Sequence, residues 1–231
     1  MRKAARLAAW LALAGATIFL AVQLSFLARV WWWRDHNPES TAFMKQRLAV
    51  MREKNPNAHL QQAWVPYTRI SIHLKRAVVA AEDAKFVDHE GFDWEAIEKA
   101  AEKNRQRKRV VVGGSTISQQ LAKNLFLSGE RTPWRKGQEA LITVMIEHVM
   151  DKRRILEIYL NVIEWGDGIF GVEAAARHYF GASAAALGPE ASARLAAMVP
   201  NPRFYDRHRN TRYLERRTET ILARMPMAEL P

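Results

Sequence analysis

Residues 7–28 carry no charged side chain, and that run constrains everything that follows it. A helix of this length, rising about 1.5 Å per residue, reaches roughly 33 Å and matches the roughly 30 Å hydrocarbon core of a bilayer. Arg2, Lys3 and Arg6 precede the run, so the positive-inside bias predicts a cytoplasmic N-terminus. Trp31, Trp32 and Trp33 follow it and suit the opposite interface, where indole rings gather. A cleaved signal peptide is the rival reading, because Ala14, Gly15 and Ala16 offer small residues to a protease. The apolar run outlasts a usual signal core, however. We expect an uncleaved single-pass anchor, with the remaining chain outside the cytoplasm.

Of the 231 residues, about 190 remain beyond the anchor, enough for one well-cored domain and marginal for two. Apolar residues make up 48% of the chain, which excludes a disordered tail. Cysteine is absent, which excludes a disulfide scaffold and a Cys-ligated zinc site. The net charge of +11 points to a polyanionic partner: nucleic acid, acidic headgroups or a phosphorylated substrate. A location outside the cytoplasm argues against nucleic acid.

We divide the chain into a tail and anchor (1–34), a polar connecting region (35–62) with a short helix near 42–53, and a main domain (63–231). Helical patterns dominate, and the expected fold class is mainly α. One helix is expected over 71–88, stopping near Gly91, and another from Asp93 to about Arg105. Thr116 and Gln119 form a capping box, and Thr132-Pro133 opens a long helix to Met150. Its stretch 140–146 is almost wholly apolar, which predicts the central buried helix. Further helices are expected after Asp151, up to Gly181, from Pro189 to Pro200, and over 213–225 as a basic amphipathic tail. Residues 64–70 and 110–112 are the β-leaning runs.

Glu82 and Asp83 follow an uncharged stretch, Ala77-Val78-Val79-Ala80-Ala81. On a continuous helix Phe86 and His89 would share the face of Glu82. A carboxylate in such surroundings loses water, and its pKa rises toward the range of a general acid or base. Gly113-Gly114-Ser115-Thr116 leads into Gln119-Gln120 and Lys123. Paired glycines allow close backbone approach, and free N–H groups at the following helix start attract anions. Arg135 stands one turn before Glu139, a pairing that favours the charged carboxylate. Two glutamates in contrasting environments suit a division between proton transfer and fixed charge. Each segment alone also fits an ordinary salt-bridged or solvated surface. Residues 103–109 hold five cations and read as a solvated loop. His89, His148 and His178 lack metal-site spacing and read as packing or hydrogen-bonding residues.

Four ordered blocks resemble the peptidoglycan glycosyltransferase family of lysozyme-like polymerases. They are Glu82-Asp83-x-x-Phe86-x-x-His89-x-Gly91; Gly113-Gly114-Ser115-Thr116-Ile117-x-Gln119-Gln120-x-x-Lys123-Asn124; Arg135-Lys136-x-x-Glu139; and Lys152-x-x-Ile155-Leu156-Glu157-x-Tyr159-Leu160-Asn161. The resemblance implies a lysozyme-like glycosyltransferase domain over 63–231 behind a single transmembrane helix. The sequence holds no Ser-x-x-Lys and no Lys-Thr-Gly, so an acyl-serine domain is not expected. It ends where fused members continue, which leads us to expect the monofunctional form.

By that resemblance, the substrate is lipid II and the growing glycan strand, and the product is a β-1,4 polymer with release of undecaprenyl diphosphate. Glu82 is implied as the base and Glu139 as the second catalytic carboxylate. Lys123 and Arg131 are implied on the diphosphate, with Ser115, Gln120 and Asp83 on the substrate nearby. No organic cofactor is implied; magnesium or manganese is the open question, since no metal-ligand cluster is visible. The expected setting is the bacterial inner membrane, with a periplasmic domain, a membrane surface and other cell-wall synthesis proteins as partners. Residues 125–127 are expected either at a lipid contact or packed in the core, the two readings being equally open. A lytic enzyme using Glu82 as acid and a non-enzymatic scaffold are the rival functions.

Overall fold

Capping side chains set most helix boundaries in this protein. The computed structural model describes residues 2–107, 113–127, 129–130 and 132–231, and within them the fold is mainly α. Helix α1 (Arg2–Trp33) carries the apolar run as one unbroken rod. Thr41 starts α2 (Ala42–Lys54) by accepting the Met44 N–H. Ser71 does the same for α3 (Ile72–Glu82), and Asp93 for α4 (Trp94–Gln106). Both halves of the expected capping box are present at Thr116 and Gln119, opening α5 (Ile117–Phe126). Thr132 and Pro133 open α6 (Pro133–Val149), and Asp151 caps α7 (Lys152–Val162). A left-handed Gly181, φ +63°, closes α8 (Val172–Phe180), the stop that glycine adopts most easily. Then come α9 (Pro189–Met198), α10 (Pro202–Arg207) and α11 (Arg212–Arg224).

Five expectations need correction. First, α3 stops at Glu82 instead of running to residue 88. Asp83 leaves helical geometry because its carboxylate turns to accept the Ile117 N–H of α5 at 2.9 Å. Glu82 is thus the last helical residue, and Phe86 and His89 follow in turns. Second, residues 64–70 form no strand; Tyr67–Arg69 is a short 3-10 turn after Pro66. The strands are β1 (Gln61–Gln62), β2 (Glu164–Gly166) and β3 (Ile169–Phe170), in the order β1-β3-β2. β1 runs parallel to β3 and β2 antiparallel to it. Polar Gln61 and Gln62 are extended because β3 offers them a partner, which local propensity does not reveal. Residues 110–112 lie outside the described residues.

Third, residues 103–106 belong to the last turns of α4 rather than to a loop. Fourth, the central buried helix is α7, where Ile155, Leu156, Ile158, Tyr159, Leu160 and Val162 are all inaccessible to solvent. On α6, Ile142 and Ile146 face the core, while Leu141 and Val144 are 44% and 46% exposed and Trp134 is 70% exposed. Fifth, Leu125 is buried, and Phe126 packs against Phe26 and Trp33 of α1 at ring distances of 5.0 and 5.2 Å. That segment joins the anchor to the domain. The connecting region is likewise integrated: α2 packs on α5, and β1 lies within it.

Asn161 and Gly171 lock the strands to α7. The Asn161 side chain accepts the Val65 N–H at 2.9 Å and donates to the Val65 carbonyl at 2.9 Å. Gly171 sits at φ +78°, ψ 151°, and a Cβ there would lie 2.7 Å from the Asn161 carbonyl oxygen. Such a backbone conformation is almost confined to glycine. Gly171→Ala is therefore expected to destabilise the fold by on the order of 3 kcal/mol, combining backbone strain and overpacking. Denaturant unfolding checks this; an unchanged midpoint would refute it.

Candidate active site

Three helices meet around Glu82. It projects from the end of α3, and its side chain is only 10% exposed. Its Oε2 accepts a hydrogen bond from Gln120 Nε2 of α5 at 2.9 Å. Its Oε1 faces Arg217 Nη2 of α11 at 3.3 Å. Burial raises the Glu82 pKa above the ordinary carboxylate value; the Gln120 bond and the charges of Arg217 and Lys123 oppose that rise without cancelling it. This fulfils the sequence argument for a desolvated carboxylate, although through the end of a helix rather than its face.

Gln120 has a defined orientation. The buried Tyr159 hydroxyl donates to its Oε1 at 3.0 Å, so the amide nitrogen is left to face Glu82. Burial pushes the Tyr159 pKa well up, which keeps it a donor. Gln120 was expected on the substrate; it bonds Glu82 and also lines a recess beside the base.

Asp83 is buried, with both oxygens engaged: one bonds His89 Nε2 at 2.9 Å and the other caps α5. Its position fits a brace for the loop after α3 more closely than a substrate ligand. The start of α5 is also no open anion site. Ile117 N–H goes to Asp83, Thr116 N–H to Gln119 Oε1, and Gln119 N–H to Thr116 Oγ1. Gly114 serves close approach, since a Cβ there would lie 2.9 Å from Ile97 Cα of α4.

Glu139 is buried on α6 and held by Arg135 Nη1 at 2.6 Å and by Lys136 Nζ. The i, i+4 pair is present, and Lys136 adds a second cation that also donates to Ser115 Oγ at 3.3 Å. Lys123, half-buried on α5, is electrostatically coupled to both Glu82 and Glu139. Burial lowers its pKa, with the two carboxylates acting in the opposite direction. Among the described residues it forms no ion pair, so its ammonium is left for an external anion. Arg131 lies outside the described residues.

Two recesses flank the base. One of about 250 Å³ is lined by Glu82, Asp83, Gly114, Ser115, Thr116 and Arg224. The other, about 340 Å³, is lined by Gln120, Lys123, Asn124, Arg135, Glu164 and Arg203. The Glu82–Gln120 bond lies at their seam. A base between two cavities, one rich in cations, can take a proton from one molecule while positive charge steadies a group leaving another.

Arg217 escaped the sequence reading, although it left a signal. Leu214, Ile221 and Met225 form the buried stripe of α11 and its end, and Arg217 falls on that stripe at helical spacing. A charge on an apolar stripe points to a partner inside. Glu164, whose pKa burial also raises, is gripped by Arg47 at 3.2 Å and Arg203 at 3.5 Å. As for a metal, no group of three or more His, Asp or Glu side chains comes together among the described residues. Glu82, Glu139 and Glu164 each face protein cations, while Asp83 bonds His89 and the Ile117 N–H.

A family model described as Transglycosylase matches residues 48–226. A biosynthetic peptidoglycan transglycosylase from Herminiimonas arsenicoxydans is 61% identical over 222 residues, 96% of each chain. One from Dechloromonas aromatica (strain RCB) is 63% identical over 214 residues, 93% of each chain. One from Nitrosospira multiformis is 61% identical over 216 residues, 94% of each chain.

Proposed function

This chain belongs to the peptidoglycan transglycosylase family, and from that premise we propose how its own residues run the reaction. It is a glycosyltransferase that polymerises lipid II into β-1,4 glycan strands and releases undecaprenyl diphosphate. In our reading, Glu82 removes the proton from the acceptor sugar's 4-hydroxyl as that oxygen attacks C1 of the growing chain. The new C1–O bond forms as the C1–O bond to diphosphate breaks, and the leaving group departs with the electron pair. Inversion at C1 gives the β linkage.

The observation that carries this reading is a desolvated carboxylate at the seam of two recesses, beside an ammonium that forms no direct ion pair among the described residues. Gln120, fixed by Tyr159, aims the carboxylate. Lys123 and Arg131 take the diphosphate charge, where preorganised cations act most strongly. Glu139, held by Arg135 and Lys136, fixes those cations around the donor. Ser115 receives its contact from Lys136 and sits on the acceptor side. No step is routed through a metal.

We read the site's place relative to a bilayer from α1. Phe19 and Gln23 of α1 meet Trp134 and Gln138 of α6, so the start of α6 lies beside the apolar run. Exposed Trp134, Leu141 and Val144 then face acyl chains. This depth suits a substrate whose polyprenyl tail stays in the membrane. We place the protein in the bacterial inner membrane with a cytoplasmic N-terminus, a periplasmic domain, and other cell-wall synthesis proteins as its neighbours.

The test is purified full-length protein given lipid II in one reaction and finished sacculi in another. Polymer from the first supports the reading; fragments from the second without polymer would favour a lytic enzyme. Arg217 offers a finer check. Its charge favours ionised Glu82, so Arg217→Met should push the Glu82 pKa further up. The acid limb of the pH–rate profile is then expected to move to higher pH, with the plateau close to wild type. A limb that stays in place would separate Arg217 from the base.

A further inference from the structure

Thr17, Gln23 and Ser25 are polar residues within the apolar run of α1. Two of them bond their own helix: Thr17 Oγ1 donates to the Leu13 carbonyl at 2.9 Å and Ser25 Oγ to that of Val22 at 2.7 Å. Gln23 does not. Its Nε2 donates to Gln138 Oε1 of α6 at 2.9 Å, both residues are buried, and its own Oε1 finds no partner among the described residues. An amide in an apolar setting is expensive to keep, so its presence asks for a reason beyond anchoring.

The surroundings supply one. Phe19 meets Trp134 at a ring distance of 6.0 Å, and Gln23 meets Gln138. Each step is four residues, in the same direction on both helices, so α1 and α6 run side by side for a full turn. Gln138 immediately precedes Glu139. Just before it, Gly137 sits in mid-helix with nothing within 4 Å of the position a Cβ would take, so packing does not require it. Glycine there loosens the helix. Residues 132–134, 136 and 137 are exposed; Gln138 and Glu139 are buried, and the apolar core contacts of α6 begin with Ile142 and Ile146. The loosened first turns of α6 therefore lean on α1.

We propose that Gln23 is a positioning residue for catalysis: through Gln138 it fixes the rotation of the Gly137-loosened start of α6, and so sets where Glu139 holds Arg135, which lines the cation-rich recess. The inference rests on the reading of Glu139 as part of the catalytic machinery. A small misplacement of such a group slows the reaction step rather than substrate capture.

The test uses the full chain reconstituted in phospholipid vesicles and supplied with lipid II. Gln23→Leu is expected to lower kcat roughly tenfold, with KM within about twofold and Tm unchanged. Gln138→Leu should match it, and the double variant should be no worse than either single, the mark of one shared interaction. Adding Gly137→Ala to Gln23→Leu should restore most of the rate by stiffening the turn. Full activity in Gln23→Leu, a loss confined to KM, additive losses in the double variant, or no recovery with Gly137→Ala would each overturn the proposal. Glu139→Gln separates the two layers: if it stays active, the catalytic role of Glu139 falls and this inference with it. If it is inactive while Gln23→Leu is unimpaired, only the role of Gln23 fails.

Discussion

Glu82→Gln is expected to give a folded protein that makes no measurable glycan polymer from lipid II. General-base catalysis contributes about 10²–10⁴ in rate, and the amide, although similar in shape, has no basic oxygen for the 4-hydroxyl proton. The same substitution makes a stability prediction of definite sign. Burial raises the Glu82 pKa, so the folded protein holds that proton more tightly than the unfolded chain does. The stability Glu82 allows is fullest below the ordinary carboxylate value and is lost as pH rises through the raised value. Gln is neutral throughout. The Tm of Glu82→Gln minus that of wild type should therefore grow from acidic to neutral pH and then level off. In wild type, activity should rise over the same interval, because the base must be ionised. A variant that polymerises normally would remove Glu82 from the centre of the reaction, and one that loses several degrees of Tm at neutral pH would overturn the raised pKa.

The legible parts of this chain were those whose signals are local. Asp93, Thr116, Thr132 and Asp151 cap helices through side chain to backbone bonds a few residues away, and spacing alone reports such bonds. The Arg135–Glu139 pair is of the same kind. What stayed hidden depends on partners far along the chain. Asp83 breaks α3 to cap α5, a bond across 34 positions. Gln120 aims its amide nitrogen at Glu82 because Tyr159, 39 positions away, sets its orientation. Arg217 reaches Glu82 across 135 positions. The apolar composition of α6 was correctly seen but misassigned as the central core helix: Ile142 and Ile146 face the core, while Leu141 and Val144 are exposed, a division that depends on which elements pack against it.

Lys123→Ala is expected to lower kcat/KM for lipid II by about 10²–10³, the scale of losing one preorganised charge from a transition-state site. Lys123 is half-buried and has no ion pair among the described residues, with Glu82 and Glu139 near enough to sustain its charge. That arrangement opposes the burial that lowers its pKa, and it leaves the ammonium available for a diphosphate. The loss should have two components. Removing Lys123 takes away a charge that favours ionised Glu82, so the acid limb of the pH–rate profile should move upward, as for Arg217→Met. Unlike that variant, Lys123→Ala should keep a depressed plateau at alkaline pH, because deprotonating the base cannot replace a cation on the leaving group. Lys123→Arg should recover part of the plateau, since it restores the charge but not the compact geometry of an ammonium. If the alanine variant instead reached wild-type rates at high pH, Lys123 would act only by tuning Glu82, and the stabilisation of the departing diphosphate would have to come from other cations of the cleft.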